Sequence, residues 1–319
     1  MKKIFALVLV FTLVFALTAC GGGEEGGAEA GGTVTVTVTD AAGAPIDVEF
    51  PANPERVVVL NHQTMDFLDA MGMGDKVVGY MKDGTVPEHL QKYVDDENIV
   101  NVGGMKDPDM EAIMSLEPDV IFISDRTEGQ YDEFAAIAPT MAAYIDYSAG
   151  FMTGFKALAS KHAQIFGVEG ELDDVMAGYD ERIAAIKEKA DGQTALLGIF
   201  AGGLNTLGNE GRCAIIFNDM GFTNLLADKN VNHGDISSYE AWLELNPEWM
   251  FVLDKDTAVG KEAVAAKEQM DNVIIKETKA FKNNQIVYLE PGSVWYVADG
   301  GITSMDIMIK NIEKGIGIK

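Results

Sequence analysis

The sequence predicts an α/β protein of two lobes, each built on a mainly parallel sheet, joined by a long connecting helix. Three observations carry this. Two stretches 129 positions apart, Glu111-AIMSLEPDVIFISD-Arg126 and Glu240-AWLELNPEWMFVLD-Lys255, read almost as copies: acidic residue, apolar helical turn, Pro, apolar run, Asp, then a cation. Strand and helix signals alternate around both copies, as in α/β folds. Residues 171–190 (ELDDVMAGYDERIAAIKEKA) are strongly helical, with acid at the start and Lys at the end, and lie between the copies. A helix there makes a stiff hinge rather than a loose linker. The body is too long for one small compact domain. It divides into an N-terminal lobe over 33–170, the connecting helix over 171–191 and a C-terminal lobe over 192–319.

The elements follow in order. TVTVTVTD alternates strictly and, with Gly43 and IDVEF, predicts an edge hairpin. Pro51 and Pro54 punctuate before Arg56-VVVL, a continuous apolar run of the buried parallel-strand type. A helix over Thr64–Met71 and the strand KVVGY lead to the first copy. There Asp107 or Asp109 caps a helix that Pro118 ends, and Val120–Ile123 form a strand. After Asp191-Gly192 come the strand ALLGIF, a Gly-rich turn, AIIF at a helix start, the second copy, the strand IVYL and a helix from about Ile302.

The first residues bear on compartment. Lys2 and Lys3 precede an apolar run, Ile4 to Leu17, too short for a comfortable membrane span. It ends Leu17-Thr18-Ala19-Cys20, which resembles a bacterial lipobox. The resemblance implies a lipoprotein signal peptide over 1–19 and lipidation of Cys20. Several acyl chains, at roughly 0.8 kcal/mol per buried CH2, anchor durably at the extracytoplasmic face of the cell membrane. Residues 21–32 (GGGEEGGAEAGG) bury nothing, so 20–32 is the lipidated Cys and a flexible tether. Its length favours a Gram-positive surface. The net charge of −26 becomes −28 when Lys2 and Lys3 are removed. So acidic a chain binds neither nucleic acid nor anionic lipid through its overall field. Any bound anion is held by local cations. With Cys20 lipidated, Cys213 has no intrachain partner and reads as a small packed residue.

In open α/β sheets ligands bind beyond the carboxyl ends of the strands. Arg126 lies three residues past Ile123 and Lys255 just past MFVL, so both should point into a crevice between the lobes. Arginine is scarce: Arg56, Arg126, Arg182 and Arg212 only. Arg212 stands between a loop and an apolar run, His233 in the loop NVNHGD before the second copy, and Tyr296 in PGSVWYVADGG after IVYL.

Taken together, the lipobox, the tether, NPERVVVL, the doubled helix-Pro-strand unit and the WYVADGG ending resemble an iron-siderophore substrate-binding lipoprotein of an ABC importer. The resemblance spans the mature body and is nearest the catecholate-siderophore binders. It implies the helical-backbone periplasmic binding protein fold and a receptor acting as a monomer, with no enzymatic activity and no intrinsic cofactor. Ferric iron arrives as a siderophore complex. It further implies that Arg126 and Arg212 grip the anionic ferric catecholate and that His233 and Tyr296 bind iron directly. Glu111 and Glu240, one per lobe, would dock on the membrane permease of the importer, an ABC permease that works with its ATPase. Fe(III) is hard; where a siderophore supplies four oxygens, a phenolate and an imidazole can close the two open positions.

Two departures from the family pattern stand out. The third family cation, usually Arg, is here Lys255, a point charge in place of a planar fork. His62 follows the first core strand, where the family does not place His, and Met65 is near; His62 or Met65 with His233 would offer a haem site. Haem or cobalamin binding is thus the alternative, and a chelatase-like extracytoplasmic enzyme a further one. No P-loop, GxSxG or HExxH is present, and the four His fit no standard zinc spacing.

Overall fold

The computed structural model describes residues 32–228 and 235–318. The signal peptide, Cys20 and His233 lie outside the described residues. Three sheets are present among those described. Strands β1 (Thr33–Thr39) and β2 (Pro45–Pro51) pair antiparallel as the expected hairpin. A first five-stranded sheet contains β3 (Val57–Val59), β4 (Val77–Tyr80), β5 (Val100–Asn101), β6 (Val120–Ile123) and β7 (Thr140–Ala142). Its order is β5-β4-β3-β6-β7, and all its pairings are parallel. A second sheet contains β8 (Thr194–Phe200), β9 (Leu204–Thr206), β10 (Thr223–Asn224), β11 (Asp235–Ile236), β12 (Trp249–Asp254) and β13 (Ile286–Tyr288). It runs β11-β9-β8-β12-β13, with β10 also on β8.

The second sheet is mixed rather than parallel throughout. Gly202 and Gly203 carry φ of 73° and 147°, which glycine adopts without the steric cost a Cβ brings, and let the chain reverse directly from β8 into an antiparallel β9. Sequence spacing showed the Gly-rich turn but not the strand it starts.

The doubled stretch folds twice into the same unit. Asp109 and Ser238 cap helices Met110–Ser115 and Tyr239–Leu245, accepting from Ala112 N and Ala241 N. Both units then pass a left-handed residue, Glu117 at φ 44° and Asn246 at φ 46°, before Pro118 and Pro247. The next carboxylates do the same task in each lobe. Asp119 accepts from Glu55 N and Arg56 N at 2.9 Å, and Glu248 accepts from Thr194 N at 2.8 Å. Each thereby clips the repeat strand to the first strand of its own sheet.

Helix Glu169–Ala190 follows helix Phe151–Phe166 after a left-handed Gly167. It buries Leu172, Met176, Tyr179, Ile183, Ile186 and Ala190, a stripe at alternating steps of four and three. The C-terminal helix Ile302–Ile316 packs beside it: Arg182 reaches Asp306 and Glu313, each at 2.7 Å. This last helix, expected within the C-terminal lobe, also docks on the first. Fully buried Asp66, from helix His62–Ala70, accepts from Thr303 N, Ser304 N and Ser304 Oγ at 2.6–2.9 Å. Those bonds satisfy amides that a helix start leaves unpaired. One continuous apolar core accordingly runs from β3 and β6 to β8, β12 and the C-terminal helix.

Candidate functional site

The repeat delivers its two cations to the carboxyl ends of β6 and β12, but into different surroundings. Arg126 follows a turn in which Ser124 Oγ accepts from Arg126 N at 3.2 Å. Its side chain is 51 % exposed, and Asp125 stands 3.6 Å away. Lys255 opens helix Lys255–Ala258 and is 17 % exposed, with Nζ 3.5 Å from Asp256 Oδ1. Asp256 also accepts from Gly202 N at 2.6 Å and lies 3.3 Å from Lys261. Burial would push its carboxyl up, but the Gly202 amide, Lys261 and Lys255 outweigh that and hold it below the ordinary Asp range.

Arg212 sits between two left-handed residues, Gly211 at φ 72° and Cys213 at φ 62°. For Cys213, which has a Cβ, that conformation costs about 1–2 kcal/mol. The turn directs Arg212 inward while Cys213 is fully buried, its thiol pushed up by burial. The guanidinium carbon lies 4.1 Å from the centre of the Tyr296 ring, and Nη1 donates to the Tyr296 carbonyl. Its Nε is buried without a hydrogen-bond partner among the described residues. Lys255 Nζ is 5.9 Å from the same ring. Two cations therefore flank one phenol, each within cation–π range. Tyr296 belongs to a short helix, Gly292–Val297, that follows β13 rather than to the strand end itself.

Two groups that sequence reading missed join this cluster. Asp299, 4 % exposed, accepts from the Tyr147 hydroxyl at 2.7 Å. Burial raises the Asp299 carboxyl, Arg212 and the Tyr147 hydrogen bond lower it, and Asp125 raises it again; the net displacement is upward. Tyr147, after β7, reaches the second sheet's cluster from the first lobe. The only sequence signal was the Asp inside WYVADGG; Tyr147 carried none.

His62 is placed elsewhere. It is buried, with Nδ1 2.6 Å from the Tyr80 hydroxyl and Nε2 3.0 Å from the Thr85 carbonyl. Burial lowers its pKa to about 4. The expectation that His62 faces the cleft as a ligand is corrected: both ring nitrogens are already engaged. Met65 is fully buried in the core. Glu111 and Glu240 are exposed, each the second residue of its helix. Among the described residues, no group of three or more His, Cys, Asp or Glu is placed to hold a metal ion, and no helix is long and apolar enough to cross a membrane.

A cavity of about 800 Å³ opens between the lobes, walled by Thr85 and Glu88 after β4 and by Asp254, Thr257, Tyr288 and Ser293 around the ends of β12 and β13. A volume in this range suits a small-molecule ligand. Helix Lys255–Ala258 borders it through Thr257 and Ala258, whereas Arg126, Arg212, Lys255 and Tyr296 do not line it.

Residues 57–292 match the model of the periplasmic binding protein family. The chain is similar to the petrobactin-binding protein YclQ of Bacillus subtilis, 32 % identical with 99 % of each chain covered; the crystal structure of YclQ superposes with a TM-score of 0.80 over 89 % of this chain and 99 % of that one. It is also similar to the periplasmic catecholate-siderophore binding protein VctP of Vibrio cholerae, 27 % identical, TM-score 0.80, covering 88 % and 100 %. The ferric-anguibactin-binding protein FatB of Vibrio anguillarum is 27 % identical, with 82 % of each chain covered. The chain belongs to the periplasmic binding protein family, and its architecture is the helical-backbone type of that fold.

Proposed function

We propose that this periplasmic binding protein is the lipid-anchored receptor of an ABC importer, capturing a ferric catecholate siderophore between its lobes and presenting it to a membrane permease. The observation that carries the reading is the cluster of Arg212, Lys255 and Tyr296 in one lobe, with Arg126 at the carboxyl end of the matching strand of the other. In a chain of net charge −26, two cations against one phenol, one of them with a buried Nε lacking a partner among the described residues, suit an anionic ligand. Each charged hydrogen bond contributes roughly 1.5–3 kcal/mol, so three cations supply much of a micromolar affinity. Tyr296, with His233, is the donor set for open iron positions of the incoming complex. YclQ, FatB and VctP all bear names of siderophore binders, which supports the ligand class. Glu111 and Glu240, exposed at matched positions, would meet the two halves of a pseudo-symmetric permease. Cys20 would carry the anchor. With both nitrogens of His62 in use and Met65 buried, nothing among the described residues favours haem.

Titration of intrinsic tryptophan fluorescence with a ferric tetradentate catecholate, a ferric hydroxamate, haemin and cobalamin tests this. Tight binding is expected for the catecholate alone. Arg212→Ala should weaken it by about 10- to 100-fold, the equivalent of one charged contact. Tyr296→Phe should remove a phenolate-to-iron charge-transfer band. A sharp Soret band with haemin and no response to catecholate would replace this reading with haem binding.

A further inference from the structure

Asp299 sets a buried carboxyl group beside the site, where a negative charge would oppose an anionic ligand. It is 4 % exposed, three residues beyond Tyr296, and its Oδ2 is held at 2.7 Å by the hydroxyl of Tyr147 from the opposite lobe. Arg212, stacked on the Tyr296 ring and tied to the Tyr296 carbonyl, is thereby anchored to the segment that carries Asp299 three residues on. Among the described residues Arg212 directs its hydrogen bond to that carbonyl and not to Asp299, so a charge on Asp299 would act on it through space. A structural role alone would be filled as well by an uncharged acceptor for the Tyr147 hydroxyl.

We propose that Asp299 is an affinity-setting counter-charge of the anion site, held in place across the lobe boundary by Tyr147. The inference rests on the ligand reading above for its biological meaning, but its physics applies to any anion at Arg212. Neutralising part of the Arg212 charge lowers the grip on the cargo. Because the bond that positions Asp299 comes from the other lobe, the reduction is tied to how the lobes meet. A receptor that must hand its cargo on needs such a limit, since dissociation slows as affinity rises. Asp299 acts through Arg212 rather than on the ligand itself, as a positioning and tuning residue.

The test uses the mature chain and two probes, a ferric tetradentate catecholate and inorganic sulfate, each titrated at low and high salt against wild type, Asp299→Asn, Tyr147→Phe and the double variant. Asp299→Asn keeps an acceptor for Tyr147 and removes the charge. It should tighten both anions by about tenfold at low salt, with the gain shrinking at high salt. Tyr147→Phe should give a smaller gain, because a buried carboxylate without its donor is driven toward the neutral form. In the Asp299→Asn background it should add nothing. Unchanged or weaker anion binding by a folded Asp299→Asn protein overturns the proposal, as does full additivity of the two changes. If Asp299→Asn does not fold, Tyr147→Phe decides alone, and no gain with either anion at low salt overturns it. A wild type that ignores the catecholate while Asp299→Asn gains sulfate affinity sinks the siderophore reading and leaves the counter-charge standing. If no protein binds either anion, both fall.

Discussion

The two copies of the repeat share a backbone and differ in what surrounds their final cation. In the first lobe Arg126 projects half-exposed beside Asp125. In the second Lys255 is shielded, paired with Asp256 and directed toward Tyr296, with Arg212 on the same ring. Helix, left-handed residue, Pro and carboxylate clip coincide; the exposure of the charge does not. Pseudo-symmetry therefore sets where a positive charge emerges, while neighbours from outside the repeat set how available it is. The first lobe presents a half-exposed guanidinium, and the second a preassembled cluster.

The largest expected difference between the lobes is in acid. His62 and His162 both belong to the first, and burial lowers each from 6.5 to about 4. Above pH 6.5 neither the folded nor the unfolded chain protonates them. As pH falls from 6.5 toward 4 the unfolded chain takes protons that the folded one refuses, so stability declines, by about 1.4 kcal/mol per histidine for each pH unit. Hydrogen exchange across that range should open β3, β4 and β6 before β8 and β12. Simultaneous opening of both sheets would show that the shared core makes them one cooperative unit.

A smaller effect tests the equivalence of the clips. Asp119→Ala and Glu248→Ala should each cost about 1.5–3 kcal/mol, the range for hydrogen bonds to a charged group, reading at the lower end because both sites are partly solvated. Urea denaturation measures both. A difference above about 1 kcal/mol would show that the copies match in outline only. Smallest is the contrast of the two repeat cations. Arg126→Ala should weaken ferric catecholate by about tenfold and Lys255→Ala by about threefold, since Asp256 already offsets much of the lysine's charge. Equal losses would show that the two charges are equally available to the ligand.

Much of this was legible in the chain. The strand Val120–Ile123 and the C-terminal helix from Ile302 fall where pattern placed them, and Asp109 is one of the two expected caps. Local rules sufficed there because a cap, a Pro or an apolar run acts on its immediate neighbours. The antiparallel β9 escaped because three residues after a glycine turn carry too little periodicity to register. His62 was misplaced for another reason: a histidine after a strand looks the same in sequence whether its nitrogens meet solvent or Tyr80 and Thr85.

By itself the sequence determined the α/β alternation, the duplication and the positions at which Arg126, Arg212, Lys255 and Tyr296 leave their elements, because each depends on residues a few positions apart. Only the tertiary structure decided that Tyr147 would meet Asp299 across 152 positions, that Arg212 would lie on Tyr296, and that Asp66 would cap a helix from the far end of the chain. Electrostatic interactions fall off with distance in space and with solvent between the charges. Their strength is set by burial and packing, which only the folded chain creates.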